Sequence, residues 1–334
     1  MSALEPAAAP AAALDALQDA LSDPVVRDLA WLLFSAPLLR GQPPAGELAS
    51  VFETGQERAA TIRWLLELDR EPGPLRQALA AMRIVRLGRY AECLLAYFLQ
   101  QGPACRLVAA NVALRLAGRT IGECDFLVET ASGRRLHWEL AVKCYLHAGG
   151  NRAELADYVG PNLQDRFDVK LGHLLGHQLP LSARDEFAAL GHAGPWQPQM
   201  FVKGWLFYQW GEAPPIAPAV DPSHHRGFWV TRSEWPSFCA SRVAARWAVL
   251  PRLAWLAPRP AIASEREGGD VGAAGLTAPD ALAERLAQQS GPTMLARFER
   301  DPSALGYWRE TARGFLVSDE WPAQARYYGR ACSR

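Results

Sequence analysis

The chain has 334 residues, of which 49% are apolar, and this is enough for one large domain or two modest ones with a buried core. Its 35 acidic and 35 basic residues balance, which excludes a global electrostatic field that would drive binding to nucleic acid or to a membrane. No run of about 18 apolar residues is present, so we expect no membrane-spanning helix.

The N-terminal segment, residues 1–13, is rich in Ala and Pro. It lacks the basic start and the unbroken apolar core of a signal peptide, so we expect a disordered tail and not a targeting segment. The six cysteines have no CxxC spacing, and a reducing cytoplasm fits this usage.

A helical N-terminal region is predicted over residues 14–85, followed by a longer helix. The segments with apolar residues at helical spacing are 14–40 (interrupted at Pro24), 57–69, 75–85 and 86–103. The last of these is predicted to end at Gly102-Pro103, a combination that stops helices. In it, Glu92 lies off the apolar stripe and is a candidate surface partner for Arg89.

Strands are predicted next, with one helix among them. The strand-like segments are 106–116, two arms of a hairpin within 121–145, 201–208, 226–230 and 250–258. A helix is predicted over 162–175, with Asn162 at its N-cap and Asp165 in its first turn. Residues 261–280 are rich in Gly, Ala and acids and predict a flexible linker. Residues 281–334 then form a C-terminal extension.

One weak internal repeat is present. The segment RGFWVTRSEWP (226–236) is similar to RGFLVSDEWP (313–322). Each predicts a short strand, followed by a residue able to cap a helix that opens near Trp-Pro. We interpret the pair as a repeated structural element and not as a site.

The hairpin carries an unusual pair of acids. Side chains alternate along a strand, so the apolar faces of the two arms coincide only if the loop has an odd number of residues. A loop of Ala131, Ser132 and Gly133 satisfies this, with Gly133 in the left-handed position. Asp125 then lies directly opposite Glu139.

Two opposed carboxylates repel each other unless water screens them, one takes a proton, or a cation lies between them. The simplest interpretation is a hairpin whose polar face is in water. Helices predicted on both sides of the hairpin favour covered faces, and then a divalent cation such as Mg²⁺ or Mn²⁺ is the natural partner. Such an ion can activate water and stabilise charge on a phosphate.

Lysine is rare in this chain. Lys143, Lys170 and Lys203 are its only lysines, and every other basic residue is Arg. In a chain whose basic residues are almost all arginines, a remaining lysine indicates a position that needs a compact ammonium. The pKa of an ammonium shifts more readily than that of a guanidinium. Lys143 is on the same strand face as Glu139, about 13 Å along the strand.

These features together resemble the PD-(D/E)XK nuclease superfamily, over about residues 86–180. A closer resemblance is to an uncharacterised bacterial domain-of-unknown-function family that is similar to that superfamily. It extends over about residues 25–260 and is carried by the segments RLGRYAE, IGECDFLV, HWELAVKCYL and GPNLQDRFDVKL. The resemblance implies an α/β, restriction-endonuclease-like fold with a mixed central sheet flanked by helices, and a nuclease-like core over 86–260.

Carried over residue by residue, the resemblance implies that Asp125 and Glu139 bind Mg²⁺. Glu92 would be a helix carboxylate that some members add, and Gln164 a polar residue that some members present from the following helix. The usual lysine position, two residues after the glutamate, is Ala141 here. Lys143 is our first candidate for that role, and Lys170 on the predicted helix is the alternative.

Three functions follow as hypotheses. The first is Mg²⁺-dependent hydrolysis of phosphodiester bonds in DNA or RNA. The second, motivated by Ala141, is nucleic-acid binding without cleavage, and the third is an interaction protein that keeps the fold as a scaffold. Two arginine-rich regions, 83–119 and 226–259, predict either the borders of a groove for a polyanion or solvated faces.

Overall fold

The described residues of this computed structural model are 10–116, 118–192, 194–260, 262–263, 275–302 and 304–331. Most of the predicted tail, residues 1–9, and most of the predicted linker, residues 261 and 264–274, therefore lie outside the described residues. Residues 10–13 of the predicted tail are already helical, since the first helix begins at Pro10. No helix within these ranges combines the length and the apolar character that crossing a membrane requires.

Five helices lie ahead of the long strands, in the region where the sequence predicts them. Their bounds are α1 (Pro10–Ala20), α2 (Pro24–Phe34), α3 (Gly55–Arg70), α4 (Gly73–Ala80) and α5 (Leu87–Gln101). The start of α2 is fixed by Asp23, whose side chain accepts hydrogen bonds from the N–H groups of Val25 and Val26. A capping box between Thr54 and Glu57 begins α3.

Five more α-helices follow in the described residues after the hairpin. Their bounds are α6 (Phe167–His173), α7 (Asp185–Ala188), α8 (Trp235–Cys239), α9 (Pro279–Leu286) and α10 (Trp321–Ala331). The helical path of α6 does not end at His173. It continues as a π-helical turn, Leu174–Gln178, and then as a 3₁₀ segment, Leu179–Ala183.

Eleven strands of the described residues form one mixed sheet. Their bounds are β1 (Glu47–Leu48), β2 (Cys105–Leu116), β3 (Arg119–Thr130), β4 (Arg135–His147), β5 (Tyr158–Val159), β6 (Gln197–Gln209), β7 (His225–Thr231), β8 (Arg246–Val249), β9 (Ile262–Ala263), β10 (Thr293–Arg300) and β11 (Tyr307–Val317). The spatial order is β2-β3-β4-β6-β7-β11-β10-β8, and the three short strands pair beside it.

The sheet combines antiparallel and parallel pairing. Strands β2, β3 and β4 are antiparallel neighbours, whereas β4, β6, β7 and β11 run parallel to one another. Helices pack against this sheet, so the predicted α/β class and the mixed central sheet flanked by helices are confirmed.

Helices cover both faces of the sheet at β4. On one face, Trp138, Leu140 and Val142 belong to the same buried core as the apolar stripe of α5. On the other face, Ala141 and Tyr145 pack with the apolar residues of α6 and of the turn that follows it. His137 and Glu139 of β4 are therefore buried, and the interpretation of a hairpin with one face in water is wrong for this part of the strand.

The predicted helix over 162–175 begins later in the structure. Its first residue is Phe167, and residues 160–165 form a loop in which the Gly160 N–H donates to the Asp165 carbonyl. Leu163 has a φ of 55°, which is incompatible with a right-handed helix, so Asn162 is not an N-cap.

The predicted strand over 250–258 is absent. The segment contains one 3₁₀ turn, Arg252–Ala254, and side chains satisfy several of its backbone polar groups. The buried Arg313 guanidinium donates to the carbonyls of residues 255–257, and the Asp28 carboxylate accepts from the Ala257 N–H. These hydrogen bonds take the place of a strand neighbour.

The predicted C-terminal extension contributes two strands, β10 and β11, to the same sheet. The internal repeat predicts only the last five residues of β11 as a strand. The structure confirms that repeat as a structural element, because β7 and β11 are parallel neighbours, with Gly314 paired to Phe228, and because Trp235 and Trp321 begin the helices that follow them.

Lys203 on β6 is buried among apolar side chains of the main core. It is 6% exposed, and its ammonium donates to the carbonyl of Ser35, the C-cap residue of α2, where the helix dipole favours a cation. No carboxylate forms an ion pair with it in the described part of the chain. Burial lowers the pKa of Lys203 to about 7.

The first prediction concerns this lysine and pH. The pKa of Lys203 is lower in the folded protein than in the unfolded chain, so the charged lysine destabilises the folded protein at low pH. This destabilisation decreases as the pH rises from about 7 to the unfolded pKa of about 10.4. Lys203→Met removes the charge. We therefore expect the stability of this variant, relative to wild type, to be higher at about pH 6 than at about pH 9.5. Denaturant titration at both pH values measures this difference.

Lys143→Met, at a partly exposed lysine, is the control for loss of a lysine side chain. A stability difference between Lys203→Met and wild type that is the same at both pH values would contradict the assignment of a destabilising buried charge.

Candidate active site

The hairpin has the predicted register. Phe126 pairs with Trp138, and residues 131–133 form its three-residue loop, with Gly133 at a φ of 84°. The next pair in this register would be Asp125 and Glu139. However, backbone pairing between β3 and β4 ends at Phe126 and Trp138, whereas β4 stays paired with β6 as far as Leu146.

Side chains replace the backbone ladder where β3 and β4 diverge. The Asp125 N–H lies 3.4 Å from Glu139 Oε1, and the Leu140 N–H donates to Asp125 Oδ2 at 2.9 Å. Pairing between β2 and β3 is also interrupted at this level, where Asn111 has a φ of 52°. The divergence therefore brings the side chains of Asp125 and Glu139 close together, and each carboxylate contacts a backbone N–H of the other strand.

The local irregularity also changes one predicted face. Alternation predicts Cys124, Phe126 and Val128 on the same face. The structure places Phe126 and Val128 in the main core, but Cys124 in a different cluster, with Leu127 and Leu181. The expectation is wrong for Cys124, because the strand departs from regular pairing between it and Phe126.

Glu139 is completely buried, and protein donors surround its carboxylate. Oε1 lies 2.7 Å from His137 Nε2, and Oε2 accepts from Gln178 Nε2 at 2.6 Å. At the ends of this chain of hydrogen bonds, His137 Nδ1 lies 2.9 Å from the Ser182 hydroxyl, and Lys170 donates to Gln178 Oε1 at 2.7 Å. The carboxylate is thereby held in one orientation.

Asp125 is the second carboxylate of the site. Burial, and then the nearby Glu139, raise the pKa of Asp125 to about 8, while the Leu140 N–H acts in the opposite direction. Glu92 raises this pKa and Lys170 lowers it, by smaller amounts. Within the described residues Oδ2 accepts one hydrogen bond and Oδ1 has no hydrogen-bond partner. One oxygen is thus free to accept another ligand.

Two lysines lie near this site, and they differ in what they contact. Lys143 forms an ion pair with Asp165, and its ammonium lies 5.9 Å from the centre of the Tyr145 ring. Lys170 is half-buried and reaches Glu139 through Gln178. Burial, and then Lys143, lower the pKa of Lys170, whereas Asp125 and Glu139 raise it. The structure therefore brings Lys170, and not Lys143, to the carboxylates.

The two supporting residues implied by the resemblance lie at the margin of the site. Glu92 on α5 pairs with Arg89 at 2.8 Å and is partly exposed, as its position off the apolar stripe indicates. Gln164 is exposed and lies on the loop before α6. The resemblance implies that the following helix presents Gln164, and this is wrong, because that helix begins only at Phe167.

Sequence reasoning missed Gln178 and gave no role to His137. Gln178 is the last residue of the π-helical turn, a wide turn that is frequent at functional sites. No sequence signal identifies this turn, since the pattern of 162–175 predicts a regular helix. His137, by contrast, is two residues before Glu139 on the same strand and therefore on the same face, so the sequence could have predicted that it lies close to Glu139.

An exposed cleft lies farther along the open edge of β4. It has a volume of about 280 Å³, and its lining includes Arg86, Lys143, Gln164, Arg252 and Trp255. The two arginines are exposed, and neither guanidinium has a carboxylate partner in the described part of the chain. Trp255 is held in place, since its Nε1 donates to the Leu250 carbonyl at 3.1 Å and its ring packs edge-on against Phe315.

A hard divalent cation fits the Asp125–Glu139 pair. Mg²⁺ binds oxygen ligands through one or two carboxylates and keeps several waters or substrate oxygens. Asp125 offers a free oxygen, and burial and then the charge of Glu139 raise its pKa, two effects that a bound cation would oppose. The donor set and the local charge therefore both suit such an ion.

Fold and site together define a mixed α/β protein in which two carboxylates meet where a hairpin opens. The chain belongs to the family DUF1853, a domain of unknown function, whose model matches residues 27–317. Neither the curated proteins nor the solved structures include a significant match to the chain.

The second prediction tests the charge at Asp125. The pKa of Asp125 is higher in the folded protein than the unfolded value of about 3.9. The stability that the protonated Asp125 contributes is therefore complete at low pH and is lost as the pH rises through about 8. Asp125→Asn keeps an acceptor for the Leu140 N–H and removes the titration. In chelator, we expect this variant to gain stability relative to wild type between about pH 5 and about pH 9.

Thermal unfolding measures this gain in stability, and the same measurement is then repeated with added Mg²⁺. Added Mg²⁺ should raise the melting temperature of wild type at alkaline pH and leave Asp125→Asn unchanged. Equal responses of the two proteins to pH and to Mg²⁺ would show that Asp125 is not a carboxylate in need of a counter-ion.

Proposed function

We propose that the protein is a Mg²⁺-dependent nuclease that hydrolyses phosphodiester bonds of DNA or RNA. The observation that carries the proposal is the buried meeting of Asp125 and Glu139 at the divergence of β3 and β4, with the ammonium of Lys170 linked to it. Hard-cation ligands beside an ammonium are the parts that this hydrolysis needs.

The order of elements supports the same interpretation. The features that resemble the PD-(D/E)XK superfamily are a helix with an acid, a strand that contains Gly-Glu-x-Asp, a hairpin loop, a strand with Glu139 and a following helix. In this chain they are α5, β3, the loop 131–133, β4 and α6. Ala141 stands at the usual lysine position, and we assign the ammonium to Lys170, on the helix facing that strand.

Each residue has a role in this proposal. Asp125 and Glu139 would hold the ion, which when bound supplies an activated water and stabilises the developing phosphate charge. Gln178 and His137 fix the orientation of the Glu139 carboxylate. Lys170, half-buried and close to both acids, would position the attacking water or neutralise a phosphate oxygen.

The cleft along β4 is where we place the nucleic acid. Arg86 and Arg252 supply positive charge for phosphates. Lys143, which is paired with Asp165, and Gln164 line the same cleft. Trp255 offers a fixed ring for a base to stack on. Since Lys143 lies about 13 Å along the strand from Glu139, a bound strand would run from this cleft to the carboxylates.

Binding without cleavage is the second candidate function. It is favoured by Glu139, both of whose oxygens already accept hydrogen bonds from protein donors, and by the apolar Ala141 on the same face. In that case the same cleft would bind nucleic acid, and the buried acids would serve only the fold.

The third prediction separates these two functions. Asp125→Asn and Glu139→Gln should each lower the rate of cleavage by about two orders of magnitude or more, because each removes a charged ligand of the ion. Lys170→Met should do the same, because it removes the ammonium that positions water or neutralises a phosphate oxygen. Lys143→Met should have a smaller effect. The assay follows plasmid, single-stranded DNA and RNA with Mg²⁺ or Mn²⁺.

Glu123→Gln is the matched control, since this acid is exposed on the same strand only two residues from Asp125. Cleavage that survives both Asp125→Asn and Glu139→Gln would rule out this site. Binding of nucleic acid by wild type with no cleavage under any of these conditions would favour the second function.

The fourth prediction concerns the cleft. The double variant Arg86→Glu, Arg252→Glu should weaken binding of a single-stranded oligonucleotide by about tenfold or more. For every phosphate that the variant no longer neutralises, the slope of log affinity against log salt concentration should become shallower by about 0.7. Fluorescence anisotropy in chelator at several salt concentrations measures both quantities. Arg83→Glu, at an exposed arginine that does not line the cleft, should leave them unchanged.

A further inference from the structure

A second set of potential metal ligands lies on the inner side of Glu139. Cys124 Sγ, a ring nitrogen of His137 and a carboxylate oxygen of Glu139 lie within 4.8 Å of one another. All three side chains are 0% exposed. We propose that these residues form a binding site for a transition-metal ion of the Zn²⁺ type.

The ligand chemistry selects the kind of metal. Thiolate, imidazole and carboxylate are the ligands of Zn²⁺ in proteins, whereas Mg²⁺ takes oxygen ligands. Cys124 and His137 have no role as ligands in the proposed nuclease, so this inference does not depend on that function. The shared Glu139 has two oxygens, and the one facing His137 is Oε1.

The surroundings of the three residues resemble the support that metal ligands usually have. The second ring nitrogen of His137 contacts the Ser182 hydroxyl at 2.9 Å, and the second oxygen of Glu139 accepts from Gln178 at 2.6 Å. Such outer contacts set the tautomer and the orientation of ligating groups. These outer contacts use His137 Nδ1 and Glu139 Oε2. The atoms that face each other, His137 Nε2 and Glu139 Oε1, are left to bind an ion.

Cys124 supports the inference by contrast with another buried cysteine. Cys105 donates its thiol hydrogen to the Val51 carbonyl at 3.2 Å. The Cys124 thiol has no hydrogen-bond partner among the described residues, although it lies beside two strong polar groups. Because no group in the described part of the chain engages its thiol, Cys124 is available to bind an ion together with His137 and Glu139.

Binding would move protons in a defined way. The Cys124 thiol loses its proton to solvent and binds through the thiolate. The proton on His137 Nε2 is replaced by one on Nδ1, which then donates to the Ser182 oxygen. The contact of 2.7 Å between Nε2 and Oε1 opens, so that each atom lies about 2.0–2.2 Å from the ion.

The test uses full-length protein stripped with chelator and then given Zn²⁺ or Co²⁺ alone. We expect one ion per chain, and Co²⁺ should give a thiolate-to-metal charge-transfer band in the near ultraviolet. Cys124→Ser should abolish that band and weaken Zn²⁺ binding about 100-fold, while Ser182→Ala should weaken it about tenfold through the orientation of His137. Cys105→Ser is the matched control and should behave as wild type.

Circular dichroism and a second variant, Cys124→Ala, show whether a loss of binding reflects a loss of fold. Stoichiometric Zn²⁺ should also raise the melting temperature of wild type and leave that of folded Cys124→Ser unchanged. The proposal is overturned if wild type binds no Zn²⁺, if the Co²⁺ spectrum lacks the thiolate band, or if Cys124→Ser binds as wild type does. None of these readouts involves nucleic acid, so they are separate from the test of nuclease activity.

Discussion

The buried carboxylate of Glu139 is the constraint that organises this region. An ionised group inside a protein is costly unless hydrogen-bonded or paired groups replace the water it has lost. Here the replacement comes from three directions: from His137 on the same strand, from Gln178 on the helical side, and from the Asp125 backbone across the divergence. Two of these donors, Gln178 and the Asp125 backbone, require a departure from regular structure.

Those departures explain features that would otherwise look unrelated. Gln178 lies at the end of a π-helical turn, where a regular helix would direct this residue elsewhere. Strands β3 and β4 cease to pair at this level, and Leu140 donates to the Asp125 side chain in place of a strand neighbour. Separation of the strands opens the edge of β4, and this open edge lines the basic cleft.

Much of this arrangement is readable in the sequence, and the limits have physical causes. The hairpin register follows from alternation and from Gly133, because a shift of one residue would turn every apolar side chain to the other face. Which lysine lies nearer the two acids did not follow, since this depends on the position of α6 relative to β4, which local pattern does not encode. Pairing of β11 with β7 is likewise set by contacts distant in sequence.

The proposals share a theme, which is that one glutamate serves two kinds of chemistry. Its outer neighbours, Asp125 and Lys170, offer oxygen ligands and positive charge, whereas its inner neighbours, Cys124 and His137, offer sulphur and nitrogen. The hairpin brings both sets together because Cys124 departs from the face that alternation assigns to it.

The position of β11 has a consequence for how the chain becomes a folded protein. This strand lies inside the sheet, between β7 and β10, and β8 reaches the rest of the sheet only through β10 and β11. During synthesis on the ribosome, residues up to 300 can emerge while the sheet still lacks an interior member. The half containing β8 and β10 must therefore wait for residues 307–317, and until then β7 exposes an unpaired edge to which chaperones or other nascent chains can bind.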